Sequence, residues 1–196
     1  MESRADHPIR KRMRRWEGTD AVRFVTFSCD RRRPLLDKDA VRDLFAEQLA
    51  ATRRQHALEL FAWVVMPEHV HLLVRPSPES KLADALRSLK TSVAKQVLGR
   101  WRDSRAPILE ELRAGRGAVR LWQRGGGFDR NVRDTSELCR EVRYIHLNPV
   151  RRELVKNPED WKWSSVRWWM GARDGEIECD PPPGEPRSWE LWQGFR

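Results

Sequence analysis

The chain has 196 residues, of which 39% are hydrophobic, and this suits a single domain with one sizeable core. Its 38 lysines and arginines exceed its 29 acidic residues, and a net charge of +9 is typical of nucleic-acid binders, the alternative being a basic surface without a partner. Three cysteines without CxxC spacing argue against a disulfide framework and a cysteine zinc site. No apolar run is long enough for a membrane span, and the arginine-rich N-terminus does not resemble a signal peptide. We therefore expect a cytoplasmic protein.

The N-terminal part of the chain predicts a basic arm, a helix and three strands. Residues 1–18 form the arm, which either contacts phosphates or is a solvated tail. Its basic residues are Arg10, Lys11, Arg12, Arg14 and Arg15. Residues 21–29 alternate as a strand does, and residues 58–66 and 69–76 predict a hairpin around a short turn. Between the first strand and the hairpin, an amphipathic helix is predicted that Asp37 or Asp39 caps. Its apolar positions are Val41, Leu44, Phe45 and Leu49.

The C-terminal part predicts two more helices and a fourth strand. Residues 77–101 have an apolar stripe at helical spacing, and residues 102–119 are predicted as a loop. Residues 120–132 predict a strand, a glycine turn and a further extended piece. Residues 135–148 predict a helix that Thr135 or Asp134 caps and Pro149 ends.

The predicted order is β-α-β-β-α-β-α, which indicates an α+β fold with helices packed on one face of an antiparallel sheet. We predict a basic arm over residues 1–18 and a catalytic domain over residues 19–155. Residues 156–196, rich in tryptophan and proline, are predicted to extend the same domain. For at least half of the tryptophans, packing is favoured over contact with a ligand.

Two histidines stand one residue apart on a predicted strand, in the stretch MPEHVHLLVRP. Residues two apart on a strand face the same side, so His69 and His71 project together. Two imidazoles on one face can ligate a divalent metal, but a pair of half-exposed histidines is an equally good interpretation of this motif alone.

The single tyrosine of the chain, Tyr144, lies on the last predicted helix. Asn148 follows one helical turn later on the same face, and an amide oxygen is a hard metal ligand. Without the histidines, Tyr144 would be interpreted as a core aromatic and Asn148 as a helix-end residue. His146 would project away from the face that carries these two residues.

Four segments together resemble the single-tyrosine HUH transposases, and most of all the REP-associated tyrosine transposases. The segments are VVMPEHVHLLVRP, LWQRGGGFDRNVRD, YIHLNPVRREL and PEDWKWSS. The resemblance implies a ferredoxin-like fold, Mg²⁺ or Mn²⁺ held by His69, His71 and Asn148, and Tyr144 as nucleophile. It also implies single-stranded or hairpin DNA from palindromic repeats as the substrate, with a 5′-phosphotyrosine intermediate and strand transfer.

Further basic residues are candidates for contact with DNA phosphates. Besides the arm, they are Arg87, Lys90, Lys95, Arg124 and Arg130. The chain departs from the family pattern in its glycine-rich turn and in Asn148, which is one methylene shorter than the glutamine of some relatives. The tyrosine helix must therefore sit closer to the histidines, or a water must intervene.

Three other functions are compatible with these features. The chain could be a domesticated module that binds hairpins without efficient turnover. A replication initiator or relaxase would normally be a longer chain, and a zinc hydrolase would lack a good third ligand. The resemblance leaves open whether the protein acts as a monomer or as a homodimer, and in a homodimer it implies that the tyrosine helices can be exchanged.

Overall fold

The computed structural model describes residues 21–113, 119–125, 127–173, 175 and 177–183. The predicted arm, with Arg10, Lys11, Arg12, Arg14 and Arg15, lies outside the described residues. None of the described helices combines the length and the apolar character that a bilayer crossing requires.

Four antiparallel strands form one sheet. They are β1 (Arg23–Ser28), β2 (Glu59–Val65), β3 (His69–Arg75) and β4 (Phe128–Asn131), arranged in the order β2-β3-β1-β4. β2 and β3 form the predicted hairpin, and β3 then lies between β2 and β1. The parallel relation of β1 and β2 requires a crossover, which a helix supplies.

The helices lie on both faces of the sheet. They are α1 (Asp39–Gln55), α2 (Leu82–Asp103), α3 (Ile108–Arg113), α4 (Thr135–Arg151) and α5 (Val166–Trp169). Phe27 of β1 packs on Phe45 of α1, whereas Phe24 packs on Tyr144 of α4. Because side chains an odd number of residues apart on a strand point to opposite faces, α1 and α4 cover opposite sides. The predicted α+β fold is confirmed, but the placement of helices on one face only is wrong for α4.

Two helix boundaries differ from the predictions for local reasons. The N-cap of α1 is Lys38, and the Asp39 carboxylate accepts a hydrogen bond from Arg42 at 2.7 Å instead of capping the helix. Pro149 does not end α4, which continues to Arg151. In the last turn a proline forfeits a single intrahelical hydrogen bond, so the helix tolerates it there. The predicted cap Asp134 is confirmed by its bond from the Glu137 amide.

The segment between α2 and α4 also differs from its prediction. Within the predicted loop, residues 108–113 form α3, which buries Leu109 and Leu112. The fourth strand follows the glycines instead of preceding them, and before the turn only an isolated bridge joins Trp122 to Cys29. At the start of β4 the backbone of Gly127 passes close to β1, which only glycine allows, since a Cβ there would lie 2.1 Å from the carbonyl oxygen of Thr26.

The tryptophan-rich segment after α4 covers the β2 edge of the sheet. The indole nitrogens of Trp161 and Trp169 donate to the carbonyl oxygens of Val65 and Phe61, at 3.0 and 2.8 Å. The amide of Asp180 bonds to β2 in the same way, at the Leu60 carbonyl. These contacts occupy backbone groups that an edge strand would otherwise expose, and they confirm packing as the role of these tryptophans.

Candidate active site

His69 and His71 meet on β3, on the face that α4 covers. Both side chains are buried, and their Nε2 atoms lie 2.9 Å apart. The antiparallel register places Thr26 of β1 directly opposite His71, so its hydroxyl shares this face. Both imidazoles therefore project from the same side of β3, as predicted.

The other nitrogen of each imidazole has its own oxygen partner. His69 Nδ1 lies 3.1 Å from Glu68 Oε1, and His71 Nδ1 lies 2.7 Å from Thr26 Oγ1. A carboxylate can only accept, so His69 donates from Nδ1 and presents a lone pair at Nε2. These contacts fix the orientation of both rings, so that the two Nε2 atoms face each other.

Burial holds both histidines in the neutral form. Desolvation and, to a smaller extent, the neighbouring His69 together lower the pKa of His71 to about 3. Burial also lowers the pKa of His69, against the raising influence of the Glu68 carboxylate. Neutral imidazoles are the form that ligates a cation.

Helix α4 brings Tyr144 and Asn148 to the histidine pair within one chain. The Tyr144 ring packs edge-on against His71, with their centroids 5.3 Å apart, and its side chain is 37% exposed. Asn148 is buried, with its amide nitrogen 3.2 Å from His71 Nε2. The shorter asparagine thus reaches the imidazole directly because α4 lies close to β3. An amide rotation exchanges its nitrogen and oxygen at this position.

His146 lies away from this group, as its position on α4 predicts. It is fully buried, and its Nε2 lies 2.8 Å from the hydroxyl of Ser165. Burial lowers its pKa to about 3, so it stays neutral. Its contacts place it in the packing of α4 against the segment that covers β2.

Three side chains at the site escape the sequence analysis. Thr26 and Glu68 contact the histidines, and Arg152, just after α4, donates to Glu68 Oε1 at 2.7 Å. The alternation of apolar residues in β1 could have shown which face Thr26 occupies, but the pairing of Thr26 with His71 depends on tertiary structure. Only its position directly before the histidine motif could have pointed to Glu68.

Of the basic residues predicted to contact DNA, those in the described part of the chain lie on both faces of the sheet and in the turn before β4. Arg87, Lys90 and Lys95 of α2 line a cavity of about 1090 Å³ on the face opposite the histidines. Arg124 is exposed in the turn before β4. The predicted metal ligands and the tyrosine thus lie together on one face of the sheet, whereas the basic residues of α2 lie on the other face. The contacts of the basic residues with DNA stay predictions.

Arg130 of β4 is engaged by two carboxylates of α4, those of Glu137 and Glu141. Burial works to raise the pKa of Glu137, but hydrogen bonds from Arg133 and Arg130 outweigh it and lower the pKa to about 2. The carboxylate therefore stays charged and pairs with the Arg130 guanidinium, so Arg130 connects β4 to α4.

Comparisons with known proteins find similar sequences. Residues 21–125 match the family model described as Transposase IS200 like. A Haemophilus influenzae protein provisionally named a REP-associated tyrosine transposase is 27% identical over 138 residues, which cover 70% of this chain and 72% of that protein. The REP-associated tyrosine transposase of Escherichia coli is 27% identical over 114 residues, or 58% of this chain and 57% of that one.

A solved structure shares the fold. It is a REP-associated tyrosine transposase bound to a REP hairpin, with a TM-score of 0.62 at 21% identity, covering 89% of this chain and 96% of that chain. At this level of identity the likeness concerns the architecture: a four-stranded antiparallel sheet with packed helices.

The ion pair between Glu68 and Arg152 predicts a measurable coupling between β3 and α4. In a double-mutant cycle with Glu68→Gln and Arg152→Met, we expect a coupling energy of about 0.5–1.5 kcal/mol, because Glu68 is buried whereas Arg152 is half-exposed. Urea unfolding in the presence of a chelator measures it. The exposed pair Glu110–Arg113 of α3 is the control and should couple by only about 0.3 kcal/mol. Additive effects of the Glu68 and Arg152 changes would contradict the coupling.

Proposed function

The chain belongs to the IS200-like transposase family, and we propose that it cleaves and rejoins single-stranded or hairpin DNA with Tyr144 as the nucleophile. The observation that carries this proposal is the packing of the only tyrosine in the chain against His71, one helical turn from the amide that contacts the same imidazole. The REP hairpin bound by the solved relative supports hairpin DNA as the substrate class.

We further propose that His69, His71 and Asn148 hold a Mg²⁺ or Mn²⁺ ion. Adjacent ligands of an octahedral site with bonds of about 2.1 Å lie about 3 Å apart, and the two Nε2 atoms are separated by 2.9 Å. Among the described residues, no three or more histidine, cysteine or acidic side chains cluster in a way that suits a metal, so the proposed ligand set depends on the Asn148 amide. When bound, a divalent ion would polarise the scissile phosphate and offset its charge.

The side chains of this protein supply the nucleophile and hold the histidines in place. Tyr144 is part-exposed, so a DNA backbone can approach its hydroxyl and solvent can take its proton. The tyrosine oxygen bonds to phosphorus while the bond from phosphorus to the 3′-oxygen breaks, and that oxygen leaves as a 3′-hydroxyl after gaining a proton. Thr26 and Glu68 hold the imidazoles fixed during this displacement.

The phosphotyrosine bond makes strand transfer the natural outcome. A phenolate is a better leaving group than an alkoxide, so the linkage can be returned to another 3′-hydroxyl by the reverse displacement. The energy of the cleaved bond is conserved in the intermediate. The same side chains therefore support both cleavage and joining.

Replacing Tyr144 with phenylalanine tests the nucleophile. Phe keeps the ring that packs on His71 but removes the oxygen, so we expect normal folding, retained DNA binding and complete loss of the covalent adduct. The measurement uses labelled hairpin DNA with single-stranded tails and Mn²⁺, followed by denaturing gel electrophoresis. Equal cleavage by both proteins would refute the role of Tyr144. Binding without any adduct in the parent protein would favour the domesticated binding module.

Metal affinity tests the ligand set without relying on activity. We expect His71→Ala to abolish Mn²⁺ binding in calorimetric titrations and Asn148→Ala to weaken it by about tenfold or more. His56→Ala is the control, because His56 caps the end of α1 on the opposite side of the sheet. Unchanged Mn²⁺ affinity of the His71 variant would rule out the proposed ligand set.

The cavity beside α2 is proposed to contact the DNA backbone. Its lining includes seven cationic side chains and two acidic ones; the cations are Arg23, Lys81, Arg87, Lys90, Lys95, Arg102 and Arg120. Arg23 lies beside the Asp129 carboxylate at 2.7 Å, so its charge is locally balanced. The excess of cations elsewhere in the lining favours an anionic polymer.

Salt dependence of binding tests this contact. In the double variant Arg87→Ala and Lys95→Ala, the slope of log K against log salt should become shallower by about 1.4, since each lost contact with a single strand is worth about 0.7. Lys38→Ala with Arg54→Ala removes the same charge from exposed positions outside the cavity and is the control. Equal slopes for the two double variants would exclude the cavity as a DNA contact.

A further inference from the structure

We infer that Phe128 forms a stacking subsite for one unpaired nucleobase of the DNA strand that Tyr144 attacks. This inference rests on the proposed function, because it assigns a contact to the strand that is cleaved. Phe128 lies in the segment LWQRGGGFDRNVRD, but the family resemblance assigns no role to it. The assignment comes from its register in the sheet, its exposure and its aromatic neighbours.

The register of β4 places Phe128 on the same face of the sheet as the histidines. Phe128 pairs with Thr26 of β1, and Thr26 pairs with His71 of β3, so the three side chains project to one side. The close crossing of Gly127 over the Thr26 carbonyl sets this register. A slip of one residue would turn the Phe128 ring to the opposite face.

The ring of Phe128 is linked to Tyr144 through one buried aromatic. Phe24 packs edge-on against Phe128, with the ring centroids 6.2 Å apart, and against Tyr144 at 5.9 Å. Phe24 itself is buried, whereas Phe128 is 42% exposed. The part-exposed rings of Phe128 and Tyr144 therefore flank a fixed buried ring.

A cation lies beside the Tyr144 ring. The Arg151 guanidinium lies 5.4 Å from the centroid of the Tyr144 ring, and Arg151 is exposed on the last turn of α4. Guanidinium groups suit phosphate oxygens, and aromatic rings suit bases. A strand whose phosphate lies at Tyr144 thus has both a guanidinium group and the exposed Phe128 ring nearby.

Stacking at Phe128 is expected to be tolerant of sequence. Every base has a π-face, so an isolated phenyl ring selects for an unpaired base and not for its hydrogen-bonding edge. A base held in a duplex cannot present its face to the ring. Phe128 would therefore favour a single-stranded position beside the scissile phosphate.

The test measures binding in a protein that cannot cleave. In a Tyr144→Phe background, fluorescence anisotropy gives the dissociation constant for a labelled hairpin with single-stranded tails. We expect Phe128→Ala and Phe128→Leu to weaken binding by about 5- to 150-fold and Phe128→Trp to retain it. Met170→Ala is the matched control and should leave the affinity unchanged, because Met170 is 54% exposed at the end of α5, which packs at the β2 edge, whereas Phe128 lies on β4 at the other edge.

Abasic substitutions in the tails locate the base. One abasic position should weaken binding to the Tyr144→Phe protein as much as Phe128→Ala does, and should add nothing when the two changes are combined. Affinity that is unchanged in Phe128→Ala would overturn the subsite and leave the proposed function standing, as would full rescue by leucine, which supplies apolar area without a ring. Absence of DNA binding by the Tyr144→Phe protein itself would overturn both.

Discussion

The antiparallel register between β1 and β3 is the constraint on which the candidate site depends. It sets Thr26 opposite His71, and through β4 it sets Phe128 on the same face. Because side chains alternate along a strand, a shift of one residue would move both histidines to the face that α1 and α2 cover. The hydrophobic residues of β1 and β3 oppose such a shift, since it would also turn their core side chains to the opposite face of the sheet. The stability of the core thus secures the geometry of the site.

The second requirement is that α4 stay close to β3. Two contacts at its C-terminal end connect them: the Asn148 amide on His71, and Arg152 on the carboxylate that orients His69. At its N-terminal end, Arg130 joins β4 to Glu137 and Glu141. The helix that carries the tyrosine is therefore held at both ends by polar contacts, whereas its middle packs through apolar side chains. This arrangement restricts the position of Tyr144 more than apolar packing alone would, because hydrogen bonds tolerate little sliding.

Much of this organisation could be predicted from residue spacing. Period-two alternation identifies β1 and the face shared by His69 and His71, and helical spacing relates Tyr144 to Asn148. The elements that were missed are those in which local patterns compete with tertiary contacts. The short helix α3 exists because Leu109 and Leu112 find a place in the core, and β4 forms where it can pair with β1. Glu68 and Arg152 lie 84 positions apart in sequence, so no spacing rule relates them.

Gly125 and Gly127, in the turn before β4, differ in how well they would tolerate a side chain. At Gly125 a Cβ would meet nothing within 4 Å, and the only obstacle is a positive φ of 103°. At Gly127 a Cβ would collide with the β1 backbone at Thr26, so any other residue would force the strand away from the sheet. A substitution at Gly125 would therefore meet only the cost of the positive φ, whereas one at Gly127 would disturb the sheet face that carries the histidines. Gly127 thus helps to fix how β4 pairs with β1, and with it the distance of Phe128 from the histidines.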